Sequence, residues 1–294
     1  MTQTVGTVSE LWRFPVKSMA GERLDSVELT SGGIPGDRAY ALIDSETGKV
    51  VSAKSVRDFP GMMDCRATYV EQPRPGQAMP PVRITLPGGK TIISNAPGAE
   101  GELSAHFGRK VTLARVAPEN FTIDQVHPDI DGTDPAGHSN NSVEQKLGAA
   151  YFKAAGVASP VPEGAFFDLF PVSVMTSSTL RRLAELQPQS NFDQRRFRMN
   201  VMVETPEPGF VENNWLGKGL GVGQARLMVT MPDPRCIMTT LAQDGLPRDN
   251  GVIQALVRHN RLELPGAGHY PCAGVYAIVT APGQLRKGDS VALV

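Results

Sequence analysis

The chain has 294 residues, with 29 lysines and arginines against 30 aspartates and glutamates and a formal net charge of −1. That balance gives no global attraction to nucleic acid or to an anionic membrane, so neither is an expected partner and any anion-binding site has to be local. With 40% hydrophobic and 20% charged residues, the composition is that of a globular protein of one large or two intertwined domains, able to bury a core unaided.

The N-terminal third reads as β structure. Residues 4–14 alternate in part, and short β-rich runs follow at 26–30, 39–44 and 65–69. Residues 82–86 and 90–93 flank Pro87-Gly88-Gly89, a hairpin signal, and 110–116 is a further strand. The 30 glycines and 24 prolines suit the turns of a barrel or sandwich. Residues 124–141 carry four aspartates and two histidines without an apolar period, and read as a long surface loop. Ser142 with Gln145 three residues on predicts a capped helix that Gly156 closes, with Val143, Leu147, Ala150, Tyr151 and Ala154 as its apolar face. A second helix is expected from the capping residues Thr176 and Ser177 to Pro188, and a third over 252–259. Strands return at 200–203, 225–230, 274–280 and 290–294. The expected fold class is mainly β with α (α+β).

No apolar run reaches the ~18 residues of a membrane helix. The N-terminus lacks a basic segment followed by an apolar core, so no secretory signal is expected. The three cysteines, Cys65, Cys236 and Cys272, form no CxxC pair. A reducing compartment fits them, and the cytoplasm is the expected location.

The sharpest chemical signal is Met231-Pro232-Asp233-Pro234-Arg235-Cys236, after a predicted strand. Two prolines restrict the backbone before the cysteine and predict a constrained loop. Arg235 beside Cys236 favours the thiolate, the form that ligates soft metals; the alternative is a buried, inert thiol. Rival signals are weaker. The glycine-rich run Gly217–Gly223 lacks the following helix of a P-loop and reads as a turn. His259, His269 and Cys272 fit no common zinc spacing.

Five motifs in order resemble landmarks of the MOSC family of molybdenum-cofactor proteins, in the branch of the amidoxime reducing components. They are Phe14-Pro15-Val16-Lys17-Ser18, Gly36-Asp37-Arg38, Phe197-Arg198-Met199-Asn200, Pro234-Arg235-Cys236 with Thr239-Thr240, and Pro282-Gly283 with Lys287-Gly288-Asp289. Asp168-Leu169-Phe170-Pro171 resembles the family's Asp-Thr-Ser-Pro, with Leu169 and Phe170 in place of the two hydroxyls. Backbone contacts from Phe170 do not depend on that change.

The resemblance implies a MOSC N-terminal β-barrel domain over residues 1–118, joined to a MOSC β-barrel domain with a few packed helices over 119–294. It implies a molybdenum cofactor between them, with Cys236 ligating the metal as the catalytic residue. Lys17, Ser18 and Arg38 would hold the cofactor's phosphate, the arginine by its fork and the lysine as a point charge. Arg198 and Asn200, two apart on an expected strand, would face the pterin together. Asp168, Phe170 and Arg235 complete the implied cofactor site, and Tyr276 matches a position on the substrate side. The implied activity is a two-electron reduction of small N-hydroxylated substrates: amidoximes, hydroxylamines or N-hydroxylated bases. The alternative is a cofactor carrier or sulfur-transfer module without turnover. Three unclustered cysteines build no iron–sulfur centre, so a ferredoxin- or flavin-type external electron donor is the expected partner.

Overall fold

Partial alternation over residues 4–14 becomes one long strand, Gln3–Arg13, with Val8 and Leu11 buried. The computed structural model describes residues 3–294. This first strand pairs antiparallel with Val201–Glu204 on one side and Ser290–Leu293 on the other. Pairing runs on through Gly219–Val222, Ala225–Pro234 and Gly268–Ala281. Val172–Thr176 then joins Gly268–Ala281 antiparallel and Val201–Glu204 parallel, which closes a seven-stranded barrel. Closure pairs the strand edges that an open sheet would expose. β-Branched residues fill the interior, among them Val174, Val201, Val203, Val229, Val275 and Val291.

A second core gathers Val16, Tyr40, Leu42, Val82, Ile84 and Leu103. Short ladders surround it. Arg66–Tyr69, Val82–Thr85 and Thr91–Ile93 form one sheet, and Ala41–Asp44 pairs with Val111–Ala114. The helix Ala99–Phe107 covers this core with Leu103 and Phe107. Gly88 and Gly89, at φ 89° and 90°, make the expected hairpin turn. The chain is thus mainly β, with four α-helices among the described residues. None of these is long and apolar enough to cross a membrane.

Four local expectations change. The glycine-rich run read as a turn holds the barrel strand Gly219–Val222, because Ser290–Leu293 and Ala225–Pro234 pair with it on either side. Ser142 opens a strand rather than a helix: Ser142–Lys146 pairs with Thr122–Val126, and the helix starts only at Gly148. Alternating exposure over Ser142–Lys146 is the period of a strand, and Ser…Gln at a spacing of three occurs there by coincidence. The loop expected from residue 124 therefore begins after Val126. The two prolines before Cys236 sit at the end of the strand Ala225–Pro234, not in a loop. They are tolerated because its register with Gly268–Ala281 breaks between Val229 and Met231 and again between Pro232 and Pro234. The helices Ser177–Leu186, which Thr176 caps by accepting from Thr179 N, and Gly251–His259 form where expected.

Gly274 sits inside the long strand at φ 78°, and a Cβ there would lie 2.8 Å from Val174 O and 2.5 Å from Met199 Cε. Left-handed backbone costs an L-residue about 1–2 kcal/mol before any clash. Gly274→Ala is expected to lower stability by roughly 2 kcal/mol or more. Urea unfolding should show a lower midpoint at unchanged slope, and a wild-type midpoint would contradict the close packing at this position.

Candidate functional site

Two chain segments run side by side where the barrel meets the second core. Arg38 N donates to Phe14 O (2.8 Å), Tyr40 N to Pro15 O (3.0 Å) and Lys17 N to Tyr40 O (2.8 Å). This cross-linking lays Lys17, Ser18 and Arg38 along one wall of a cavity of about 100 Å³. Ser18 and Arg38 have left-handed backbones (φ 65° and 47°), as does Arg198 (φ 55°) on the same cavity. Three of the five non-glycine residues with positive φ among those described therefore line one site. Such conformations cost of order 1–3 kcal/mol each and persist where surrounding structure holds them.

Asp168 links the two buried lysines. One carboxylate oxygen meets Lys17 Nζ, the other lies 2.7 Å from Lys54 Nζ, and Phe166 O accepts a further bond from Lys17 at 3.1 Å. Burial pulls the Lys17 pKa down to about 8 despite Asp168. Burial presses on Lys54 too, but attraction to Asp168 and Cys236 outweighs it and raises the pKa. Burial alone would raise the Asp168 pKa, yet the two ammoniums hold it far below the usual carboxylate range.

Asp37 organises the opposite side. It accepts from Phe14 N (2.7 Å) and Asn200 Nδ2 (2.8 Å) and pairs with the Arg38 guanidinium. Asn200 Oδ1 accepts from Ser173 N and Ser173 Oγ, both at 3.1 Å. The Asn200 amide is thus engaged by protein on both ends, and it fixes the wall. Arg198 and Asn200 are not on one strand face: Arg198 ends the short 3-10 turn Gln194–Phe197, and the strand starts at Val201. Their shared cavity arises from the left-handed turn at Arg198. Arg198 Nη1 donates to Met19 O (2.6 Å), and its guanidinium stacks on Phe14, which Arg38 also covers. Burial, then repulsion from Arg38, lowers the Arg198 pKa to about 9, which leaves it charged at neutral pH.

Cys236 is the second residue beyond the barrel strand Ala225–Pro234. It is half-buried, whereas Cys65 and Cys272 are buried, with burial pushing each thiol up to about 12. Only Cys236 among the three borders the cavity. Thr239 N and Thr239 Oγ1 both donate to Cys236 O, at 3.2 and 3.1 Å. Arg196 is fully buried and pins the following turn through Thr239 O, Leu241 O and Pro247 O. Arg235 donates to Asp233 Oδ2 and to Phe197 O, each at 2.5 Å. Arg235 Nε and Asp233 Oδ1 are buried without a protein partner. Burial raises the Asp233 pKa to about 6 in spite of Arg235.

All ten residues singled out in the sequence—Lys17, Ser18, Arg38, Asp168, Phe170, Arg198, Asn200, Arg235, Cys236 and Tyr276—border this cavity. So do Lys54, Ser173 and Asp233, which sequence reasoning passed over. Nothing local marks Lys54 out; only folding brings it to Asp168. The cavity joins a groove of about 610 Å³, whose wall includes Phe152, Phe170, Tyr276 and Cys236. Phe170 stacks on Tyr276 with ring centroids 5.4 Å apart. That volume is in the range of small-molecule sites.

Residues 5–113 match the MOSC N-terminal beta barrel domain and residues 163–292 the MOSC domain. The two matches together take in most of the chain, which belongs to the MOSC family, a family associated with binding of the molybdenum cofactor. The mitochondrial amidoxime reducing component 2 of Macaca fascicularis is 26% identical over 98% of this chain and 84% of its own length. The human mitochondrial amidoxime-reducing component 1 is 23% identical over 100% and 85%. Among solved structures, the YuaD protein of Bacillus subtilis aligns over 100% of this chain and 96% of its own at 14% identity, with a TM-score of 0.44.

The residues present suit an anionic, metal-bearing cofactor. Five cations—Lys17, Arg38, Lys54, Arg198 and Arg235—face two lining carboxylates, Asp168 and Asp233, and even with Asp37 paired to Arg38 behind the wall a positive surplus remains. The partnerless Arg235 Nε and Asp233 Oδ1 are polar atoms of the kind a bound ligand satisfies. Cys236 offers a soft donor.

Asp168→Asn removes the one carboxylate shared by two enclosed ammoniums. Because its side chain is 29% exposed to the cavity, a loss of about 2–3 kcal/mol is expected, below the 3–5 of a fully enclosed pair. The carboxylate's folded pKa is depressed, so its contribution is present above the ordinary 3.8 and is lost as pH falls below it. Urea unfolding at neutral pH measures the difference, and inorganic phosphate should restore part of it. Equal stability of variant and wild type would show that the two lysines need no carboxylate.

Proposed function

We propose that this protein is a molybdenum-cofactor-dependent reductase of N-hydroxylated compounds: amidoximes, hydroxylamines or N-hydroxylated bases. The observation that carries this reading is the convergence of the half-buried Cys236 and five cationic side chains on one cavity that opens into an aromatic-walled groove. The names of the curated relatives, amidoxime reducing components, support the reaction class.

Cys236 holds the metal through its thiolate. Lys17, Lys54 and Arg38 bind the cofactor's phosphate, with Arg38 gripping by its fork and the lysines acting as point charges. Asp37 and Asn200 hold Arg38 and the wall in place. Arg198 and Arg235 face the pterin, and Arg235 Nε is the donor left free for it. Phe170 and Tyr276 border the groove through which substrate enters and keep water from its apolar side. When bound, the cofactor supplies a two-electron centre for removing oxygen from an N–OH group. The overall change consumes two electrons and two protons and releases water. The three cysteines are dispersed, so the electrons come from a separate ferredoxin- or flavin-type protein.

With reduced viologen as donor, cofactor-loaded protein should convert a benzamidoxime to the amidine, while NADH alone should not support the reaction. Cys236→Ser should remove one sulfur from the metal's shell in X-ray absorption and abolish turnover, whereas Cys65→Ser should change neither. If the loaded wild type reduces no N-hydroxylated compound yet passes its cofactor to an apo-enzyme, the reductase reading gives way to a carrier.

Loss of one charge-assisted contact costs ~1.5–3 kcal/mol, roughly ten- to a hundredfold in affinity. Arg38→Ala should therefore lose cofactor on purification, and Arg38→Lys should recover it only in part. Full occupancy in a Lys17→Ala, Arg38→Ala double variant would remove these residues from the phosphate site.

A further inference from the structure

The irregular stretch after Val126 holds a side-chain cluster that the reductase reading leaves unused. His127, Asp134 and His138 each offer one ligand atom, and these atoms lie within 4.8 Å of one another. His138 Nδ1 is 2.7 Å from Asp134 Oδ2, whereas His127 Nδ1 stops 3.7 Å from the same oxygen. The second distance is too long for a hydrogen bond. The His127 side chain is 6% exposed and that of Asp134 7%. A buried imidazole thus faces a buried carboxylate without bonding to it.

Asp134 is held for this orientation. Ala136 N (3.3 Å) and His138 N (2.9 Å) donate to its carboxylate, which makes a tight turn of residues 134–138. Donor atoms around one zinc ion, each at 2.0–2.1 Å from it, stand roughly 3–4 Å apart. Reaching that spacing needs movements on the order of 1 Å. The His138 side chain, 39% exposed, is placed to make them.

We propose that His127, Asp134 and His138 form a binding site for a divalent metal of the zinc class, separate from Cys236. Two imidazoles and a carboxylate are a donor set for such ions. Three protein ligands leave a further position for water. His127 and Thr133 also border the groove that leads to Cys236. A bound ion ties residues 127–138 into one closed loop on that rim and so sets the width of the entrance.

The test uses the full chain with Cys236→Ser, so that the cavity thiol takes no metal. Isothermal titration with Zn²⁺, then with Co²⁺ followed by visible absorption, reads stoichiometry and ligand type. The expected result is one equivalent of Zn²⁺ and a Co²⁺ spectrum without thiolate charge transfer. Adding His138→Ala, at an exposed side chain where the fold is at little risk, should weaken Zn²⁺ binding roughly tenfold or more. Asp134→Asn should do the same. Absence of stoichiometric Zn²⁺ binding overturns the proposal, as does unchanged affinity in both added variants.

Discussion

Lys17 and Lys54 are enclosed against a single carboxylate, Asp168, at the meeting of barrel and second core. An unpaired ammonium in that position would carry a desolvation penalty of several kcal/mol. The three charges are tolerable only in this geometry, so the segments that carry them have to be positioned closely. Lys17 follows the first barrel strand, Lys54 follows Val51 and Ala53 of the second core, and Asp168 precedes the strand that closes the barrel. One triad therefore ties the two halves together.

The same balance shapes what the cavity can bind. A chain of net charge −1 concentrates five cations around one small space and sets three carboxylates against them, Asp168 and Asp233 in the lining and Asp37 behind Arg38. Asp168 is committed to the lysines, and Asp233 to Arg235. The remaining positive charge lies with the two lysines, which share one carboxylate, and with Arg198, which forms no ion pair among the described residues; Arg38, paired with Asp37, shares the face of Phe14 with Arg198 and repels it. An anion placed between them relieves that repulsion. Cys236 adds a soft donor at the same place, and few ligand classes need both.

Barrel architecture delivers Cys236. The strand Ala225–Pro234 loses register three times against Gly268–Ala281, and the last two irregularities, at Val229/Met231 and Pro232/Pro234, let two prolines stand in a strand. The fully buried Arg196 then holds the next turn by its carbonyls. On the strand paired with Ala225–Pro234, Gly274 allows Val174 and Met199 to close in where a larger residue would not fit.

Much of this was legible in the linear sequence. Ordered motifs pointed to the MOSC family, and alternation with glycine and proline turns pointed to a mainly β fold, because a strand's period and a turn's φ requirement are local properties. The motifs also named Lys17, Arg38, Arg198 and Cys236, whose identities carry their chemistry wherever they sit. Other features were decided only by tertiary structure. Ser142–Lys146 became a strand because Thr122–Val126 lies alongside it, although its own residues suited a helix cap equally well. Lys54 has no distinguishing neighbours and gains its role from a carboxylate 114 positions away. Asn200 had the right side chain for a ligand contact, yet Ser173 and Asp37 engage it. The first strand completes a barrel with the last one, a pairing of residues nearly 290 positions apart. The physical reason is the same in each case. Propensity and motif are properties of neighbours along the chain, whereas burial, charge compensation and strand pairing depend on which distant segments meet.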